Sequence, residues 1–170
     1  SNMIRRISVC CVKEGDKYDS DYVNILYNMV KKYITIPFDF ICLTEKTQGL
    51  SNEIKIINLE DKSIKGWWNK CLLFKPGLLK GYCLYLDLEV IILKNINEFL
   101  IQNQYLNILS NLISYKGKVY NNINSSMLFW NADIEEFNKI YTQYLENKIL
   151  YDEHIPSANE VIGDQRVILD

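Results

Sequence analysis

The sequence predicts an α/β domain in which a mainly parallel sheet is covered by helices. Strand-like apolar runs alternate with helical periods along the chain, as in repeated strand-helix-strand units. Residues 81–86 are apolar on both faces, as expected for a central strand covered from both sides. The 170 residues, 48% hydrophobic and 24% charged, suit one globular domain with a full core. Because ligands of such sheets bind beyond the carboxyl ends of the strands, we expect a site that involves residues 12–15 and 87–89.

The first half of the chain supplies most of the predicted sheet. Short apolar runs bounded by turn residues predict strands at 7–12, 38–43, 54–59 and 81–86. Apolar positions at a helical period predict helices at 22–34 and 67–79. The second of these helices should be irregular after Pro76, because proline has no backbone N–H to donate.

Polar caps mark the helices of the second half. Asn95 and Glu98 have the spacing of a helix N-cap pair, which predicts a short helix there. Ser157 and Glu160 form a capping box, which predicts that another helix starts at Ser157. The remaining predicted elements are a strand at 126–130, an amphipathic helix at 134–145 and the continuation of the last helix to Asp170.

Composition and charge exclude several classes of protein. A formal net charge of -2 with scattered lysines gives no basic surface for nucleic acid. No run of about 18 uninterrupted apolar residues is present, and Arg5 and Arg6 lead straight into a short strand, so neither a transmembrane segment nor a signal peptide is expected. We therefore predict a cytoplasmic protein, and peripheral attachment at the inner membrane surface stays open.

The cysteines and the first residues complete the domain organisation. The five cysteines are an odd number without C-x-x-C spacing, which indicates buried reduced thiols and not a zinc site. Ser1 and Asn2 before Met3 are typical of a protease-cleavage scar left by expression. Residues 3–170 are expected to form a single domain.

Two carboxylates follow the predicted strand 81–86 and are the first candidate site. Asp87 and Glu89 are two residues apart, which places them on one side of an extended chain. Carboxylate oxygens select hard cations such as magnesium, manganese or calcium, and such an ion could neutralise a diphosphate. The ordinary alternative is a solvated strand end.

Residues 83–100 (CLYLDLEVIILKNINEFL) resemble the D-x-D segment of glycosyltransferases with the A-type fold. They are most similar to the glycogenin-like nucleotide-sugar transferases of glycosyltransferase family 8 and their bacterial relatives. Three further blocks occur in the family's order, at 68–71 (WNKC), 124–130 (NSSMLFW) and 163–165 (GDQ). The resemblance covers most of the chain and implies the nucleotide-diphospho-sugar transferase (GT-A) fold, with a Rossmann-like sheet flanked by helices.

The same resemblance implies a site for the nucleotide part of the donor. In the family the acidic pair binds Mn2+ or Mg2+ that bridges the diphosphate, which assigns Asp87 to metal and ribose and Glu89 to metal. Lys70 would contact the diphosphate and stabilise the charge of the leaving group, although a surface lysine is the ordinary alternative. Val12 and Tyr18, where the first strand ends, would hold the base and ribose.

The resemblance also implies residues around the transferred sugar. Asn124 and Ser125 would bind sugar hydroxyls, and Asp164 and Gln165 would lie beside the anomeric carbon, where the family has its catalytic residues. Without the resemblance, Asn124 and Ser125 would be interpreted as a turn and Asp164 and Gln165 as a loop or helix start.

Two departures from the family pattern bear on activity. Glu89 stands where the family usually has aspartate, and its side chain is longer by roughly 1.5 Å, while a misplacement of about 1 Å can reduce a rate about a hundredfold. Relatives also continue past the G-D-Q block into an H-x-x-G-x-x-K-P motif that is absent from these 170 residues. We expect this chain to lack the C-terminal segment of longer relatives.

The sequence therefore predicts a metal-dependent glycosyltransferase that moves a sugar from a nucleoside-diphosphate sugar, UDP-sugar foremost, to an acceptor hydroxyl. The acceptor, whether glycan, lipid-linked sugar or protein, and a homo-oligomeric state stay open. One alternative is a degenerate transferase domain that binds a nucleotide or a partner protein. Another is a nucleotidyltransferase, but residues 13–16 (KEGD) lack the Gly-rich basic loop of that class.

Overall fold

The computed structural model describes residues 4–59, 68–103, 112–115, 118–121, 127–139, 141–142, 146 and 167–169. The strands are β1 (Ile7–Lys13), β2 (Phe38–Thr44), β3 (Lys55–Asn58), β4 (Tyr82–Leu86), β5 (Leu112–Tyr115), β6 (Lys118–Asn121), β7 (Met127–Asn131) and β8 (Val167–Leu169). The α-helices are α1 (Ser20–Tyr33), α2 (Trp68–Cys71) and α3 (Asn97–Asn103), and 3-10 turns occur at Leu72–Phe74 and Glu135–Phe137.

The main sheet has five strands in the order β3-β2-β1-β4-β7. The β2–β3, β1–β2 and β1–β4 pairs are parallel, and β7 runs antiparallel to β4. This arrangement confirms the predicted α/β fold with a mainly parallel sheet. A second sheet, in the order β5-β6-β8, is antiparallel and was not predicted.

Helix α1 connects β1 to β2 and covers one face of the sheet. Asp19 caps it, accepting a hydrogen bond from the backbone N–H of Asp21 at 3.0 Å, which satisfies a donor that the first turn leaves free. Four apolar side chains repeat along one side of the helix and are buried, namely Val23, Leu26, Tyr27 and Val30. The predicted helix at 22–34 is therefore confirmed, with its start moved to Ser20 by the cap.

Alternating residues of the strands supply two hydrophobic clusters, one on each face of the sheet. The α1-side cluster contains Val9 and Cys11 of β1, and the α2-side cluster contains Cys10 of β1 with Tyr85 of β4. All five cysteines are free and buried, as predicted. Burial raises the pKa of the Cys10 and Cys71 thiols, so these thiols stay protonated and pack as small apolar groups.

The helix predicted at 67–79 is shorter than its apolar period suggests. One α-turn ends at Cys71, a 3-10 turn follows to Phe74, and Lys75 is extended with ψ 129°. A residue before proline is sterically pushed out of the helical region, so Pro76 ends the helix one residue upstream. Gly77 then takes a positive φ of 81°, which a glycine adopts without strain.

The predicted elements of the second half are confirmed in part. Helix α3 begins at Asn97, whose backbone N–H donates to the Asn95 side chain at 2.8 Å, as the cap predicts. The strand expected at 126–130 is β7. The prediction that the last helix continues to Asp170 is wrong, because residues 167–169 form β8 and pair with β6. The capping box at 157–160 lies outside the described residues.

The amphipathic helix predicted at 134–145 begins as the 3-10 turn at Glu135–Phe137. Residues 138, 139, 141 and 142 are helical. Within the described ranges, no helix combines the length and apolar character needed to cross a membrane.

Candidate functional site

The chain turns directly where β4 ends. The backbone N–H of Val90 donates to the carbonyl of Asp87 at 3.1 Å, and Leu88 between them is 8% exposed. The expectation that Asp87 and Glu89 share one side of an extended chain is therefore wrong in its geometry, because the segment is a turn. The turn instead buries Leu88 and leaves the two carboxylates beside it at the carboxyl edge of the sheet.

Lys70 and Asp87, which the sequence paired only through the family resemblance, are in direct contact. The Lys70 Nζ lies 3.1 Å from Asp87 Oδ1, and the two side chains are 11% and 33% exposed. Lys70 comes from α2 and Asp87 follows the end of β4, so the contact joins the α2 face of the sheet to the carboxyl end of an interior strand. A lysine this buried is an internal counter-ion and not an ordinary surface residue.

Tyr85 completes this cluster and was not singled out from the sequence. Its hydroxyl donates to the same Oδ1 of Asp87, and the Lys70 Nζ lies 5.1 Å from the centroid of its ring. Burial, followed by the nearby Asp87 carboxylate, raises the pKa of the Tyr85 hydroxyl well above its usual value, so it stays protonated and can donate. The sequence contains a signal for this contact, because residues 85 and 87 are two positions apart at the end of a strand, and such residues lie on the same side of an extended chain.

Glu89 is exposed but has a partner. The Tyr18 hydroxyl forms a hydrogen bond with Glu89, and this bond is the main reason that the pKa of Tyr18 is raised. Tyr18 also packs against the ring of Tyr22, with centroids 4.9 Å apart, and beneath the Lys17 ammonium at 5.2 Å. Tyr18, assigned to the base and ribose, therefore contacts the second carboxylate of the acidic pair.

Asn69, the neighbour of Lys70 in α2, has a buried side-chain amide without a hydrogen-bond partner among the described residues. Its side chain is 1% exposed, and among the described residues neither its nitrogen nor its oxygen has a hydrogen-bond partner. Most buried polar groups in native proteins are paired, so this amide calls for an explanation such as strain, a bound water or ion, or a catalytic role.

The loop after β1 is bonded to the segment that follows β2 and to its own lysine. The Gly15 N–H donates to Glu45 Oε1 at 2.6 Å, and the buried Lys13 ammonium donates to the Gly15 carbonyl at 3.5 Å. Gly15 has a φ of 66°, a conformation that favours glycine. Val12 lies next to this loop on the α2 side of the sheet, partly buried. Because the Gly15 N–H already has a carboxylate partner, this amide is not free for a phosphate.

The residues assigned to the sugar are not placed by the structure. Asn124, Ser125, Asp164 and Gln165 all lie outside the described residues. Their assignments remain predictions.

The described carboxylates suit a hard cation. Asp87 and Glu89 offer only oxygen donors, and a positive charge, the Lys70 ammonium, already sits on Asp87. In the part of the chain that the structure describes, no group of three or more His, Cys, Asp or Glu residues could enclose a metal ion.

Comparison with solved structures identifies the fold. The chain is similar to the galactosyltransferase LgtC in complex with donor and acceptor sugar analogues, with a TM-score of 0.54, 14% identity and 87% of this chain covered. A structure of an active-site mutant of LgtC gives the same TM-score, identity and coverage of this chain. The chain spans 66% and 65% of the lengths of these two structures. At this identity the likeness shows the GT-A fold alone.

The sequence comparisons add nothing further. No family model matches the chain, and no curated protein matches it.

Proposed function

We propose that this chain is a glycosyltransferase domain that binds a nucleoside-diphosphate sugar, UDP-sugar foremost, with Mn2+ or Mg2+. It would transfer the sugar to the hydroxyl of an acceptor. The observation that carries the proposal is the contact of the Lys70 ammonium with Asp87, 3.1 Å apart at the carboxyl end of β4. Two residues that are 17 positions apart in the sequence, and that the family resemblance assigns to the same diphosphate, meet at the edge where such folds bind ligands.

The arrangement suits stabilisation of a leaving group more than acid-base catalysis. Lys70 is largely removed from water, so its charge acts at short range on a neighbouring phosphate oxygen. A divalent cation held by Asp87 and Glu89 would add positive charge at the same diphosphate. The acceptor hydroxyl would then attack the anomeric carbon while the nucleoside diphosphate departs.

Several described contacts prearrange these groups. Tyr85 donates to Asp87, which orients this carboxylate before any ligand binds, and Glu89 interacts with the Tyr18 hydroxyl closely enough to raise the pKa of that hydroxyl. Prearranged charges need little reorganisation when the reaction occurs. Such electrostatic preorganisation is the largest source of transition-state stabilisation in many enzymes.

Uridine diphosphate provides the direct test. Thermal unfolding is measured with uridine diphosphate and Mn2+, with uridine diphosphate and a chelator, and with uridine and Mn2+ as the control that lacks the diphosphate. At a ligand concentration about a hundredfold above its dissociation constant, the free energy of unfolding should rise by about 2.7 kcal/mol with diphosphate and metal. Equal stabilisation in the chelator would contradict the metal-bridged site, and no stabilisation by either diphosphate sample would contradict the donor site.

A catalytically weak nucleotide-binding module is the second candidate. It is favoured by Glu89, which replaces the usual aspartate and whose carboxylate is bonded by Tyr18. Hydrolysis of UDP-glucose and UDP-galactose separates the two functions. Release of free sugar supports the enzyme, whereas metal-dependent binding without any release supports the module.

A nucleotidyltransferase is disfavoured by the β1 loop. The Gly15 N–H, which such an enzyme would offer to a triphosphate, is paired with Glu45 at 2.6 Å.

A further inference from the structure

We infer that Lys70 acts as an internal cation that competes with the divalent metal for Asp87 and moves to the diphosphate when the nucleotide binds. This inference rests on the proposed function and concerns how the same site is controlled. It concerns the ammonium of Lys70 and its two described neighbours, Asp87 and Tyr85.

The Lys70 ammonium lies against a carboxylate oxygen of Asp87 that a metal ion would also use. Its Nζ is 3.1 Å from Asp87 Oδ1, and the Lys70 side chain is 11% exposed while that of Asp87 is 33% exposed, so water screens the pair only in part. The ring of Tyr85, with its centroid 5.1 Å from Nζ, gives the ammonium a second favourable contact. Lys70 is therefore held at the carboxylate from two directions.

A metal ion and this ammonium cannot share Asp87 without cost. Magnesium binds carboxylate oxygens at about 2.1 Å, which would bring a divalent charge within a few ångströms of Nζ. Two positive charges at that distance and low exposure repel strongly. The metal alone should consequently bind weakly, because it must either displace Lys70 or tolerate it.

A nucleoside diphosphate removes this conflict. Its phosphate oxygens offer Lys70 a new anionic partner, so the ammonium can leave Asp87 as the metal arrives. Metal and diphosphate should then bind cooperatively, and by linkage each should raise the affinity for the other by the same factor. The exchange keeps the buried ammonium paired in both states, which avoids an uncompensated buried charge.

The test measures Mn2+ binding without any nucleotide, from the electron paramagnetic resonance signal of unbound Mn2+. Lys70→Met removes the charge and keeps a side chain of similar bulk. We expect it to bind Mn2+ about tenfold more tightly than the natural sequence, the change that corresponds to about 1.4 kcal/mol. Lys75→Met is the matched control, because Lys75 is exposed and lies just beyond the same helical segment, and it should leave the affinity unchanged.

Two further variants tie the result to this site. Adding Asp87→Asn to Lys70→Met should abolish the gain, because the gain requires the Asp87 carboxylate. Lys70→Arg keeps the cation and should show the natural affinity. Should circular dichroism show that Lys70→Met does not fold, Lys70→Gln replaces it with the same expectation.

The affinity for uridine diphosphate should change in the opposite direction. With a chelator present, Lys70→Met should bind uridine diphosphate about tenfold more weakly, because the diphosphate loses its lysine. Tighter Mn2+ binding together with weaker diphosphate binding supports the exchange. If the natural sequence binds Mn2+ and Lys70→Met binds it equally or more weakly, Lys70 does not compete with the metal for Asp87. That result overturns this inference but not the proposed function. Absence of Mn2+ binding in both proteins, with or without uridine diphosphate, overturns both proposals.

Discussion

Asp87→Asn separates a binding role of Asp87 from a structural one, because asparagine keeps its shape and removes its charge. In the structure Asp87 Oδ1 accepts hydrogen bonds from Lys70, at 3.1 Å, and from Tyr85. Asparagine retains a carbonyl oxygen at that position, so both donors can remain paired. The substitution should therefore leave the fold intact and remove mainly the electrostatic part of these contacts.

The size of the loss follows from burial. Removing one partner of a fully buried ion pair costs about 3–5 kcal/mol, whereas an exposed pair contributes about 0–1 kcal/mol. Lys70 is 11% exposed but Asp87 is 33% exposed, and the amide still accepts hydrogen bonds, so about 1–2 kcal/mol is expected. For a chain of this length, about 2–4 °C of melting temperature is lost per kcal/mol.

Ligand-induced stabilisation should disappear altogether in this variant. The natural sequence should gain about 2.7 kcal/mol from uridine diphosphate and Mn2+ at about a hundredfold their dissociation constant, and Asp87→Asn should gain nothing measurable. Asp133→Asn is the matched control, since the Asp133 carboxylate also accepts a hydrogen bond, in this case from the backbone N–H of Gly81 at 3.0 Å, before β4 begins. It should lose some stability but keep the full gain from the ligand.

Differential scanning calorimetry with and without the ligand pair gives both quantities. If the ligand pair still raises the free energy of unfolding of Asp87→Asn, Asp87 lies outside the donor site, and its contact with Lys70 does not mark that site. If Asp87→Asn unfolds at room temperature while the natural sequence shows no metal affinity, Asp87 is structural.

Three further predictions test individual contacts. Tyr85→Phe keeps the ring beneath Lys70 and removes the donor to Asp87, so calorimetry should show a loss of about 1–2 kcal/mol and titration a weaker affinity for uridine diphosphate with Mn2+. Glu89→Asp should lose the Tyr18 hydrogen bond and weaken Mn2+ binding; binding or activity kept or raised would instead show that the long side chain is only a tolerated departure. Arg6 above all, with Lys55, lowers the pKa of Asp39 to about 2, so this group stabilises the fold above about pH 4 and its contribution falls away as the pH drops towards 2; Asp39→Asn should cost about 1 kcal/mol at pH 7, measured by urea unfolding, and nearly nothing at pH 2.

The sequence predicted the main sheet well because its strands are specified by local apolar runs. β1, β2 and β4 each lie within one residue of their predicted ends, since a strand buried on both faces is apolar almost throughout. In the antiparallel sheet, β5 and β6 form a local hairpin that joins Tyr115 to Lys118, whereas the pairing of β6 with β8 is long-range. The register of β6 and β8 joins Val119 to Leu169, and no local pattern records that separation.

The candidate site was predictable in composition but not in geometry. Asp87 and Lys70 emerged from the family resemblance, and their contact depends on how α2 packs beside β4, which apolar periodicity does not specify. The extended arrangement assumed for residues 87–89 is wrong because the apolar side chain of Leu88 is buried and the chain turns around it. Burial of one leucine thus overrides the two-residue period of a strand.

The contacts of the acidic pair bear on the choice between a binding site and a solvated strand end. Carboxylates at an ordinary strand end point into water and need no protein partner. Here Asp87 is held by Lys70 and Tyr85, which belong to the α2 side of the sheet. Glu89 raises the pKa of the Tyr18 hydroxyl, mainly through a hydrogen bond, and Tyr18 packs against the α1-side cluster. Two tyrosines and a nearly buried lysine are thus ordered around two charges that could have been left to solvent.

Ordering such side chains costs conformational entropy that exposed carboxylates would not require. The longer side chain of Glu89 fits this arrangement, because it has a tyrosine hydroxyl to accept from. The geometry therefore favours a prearranged anion-and-cation site over a solvated strand end.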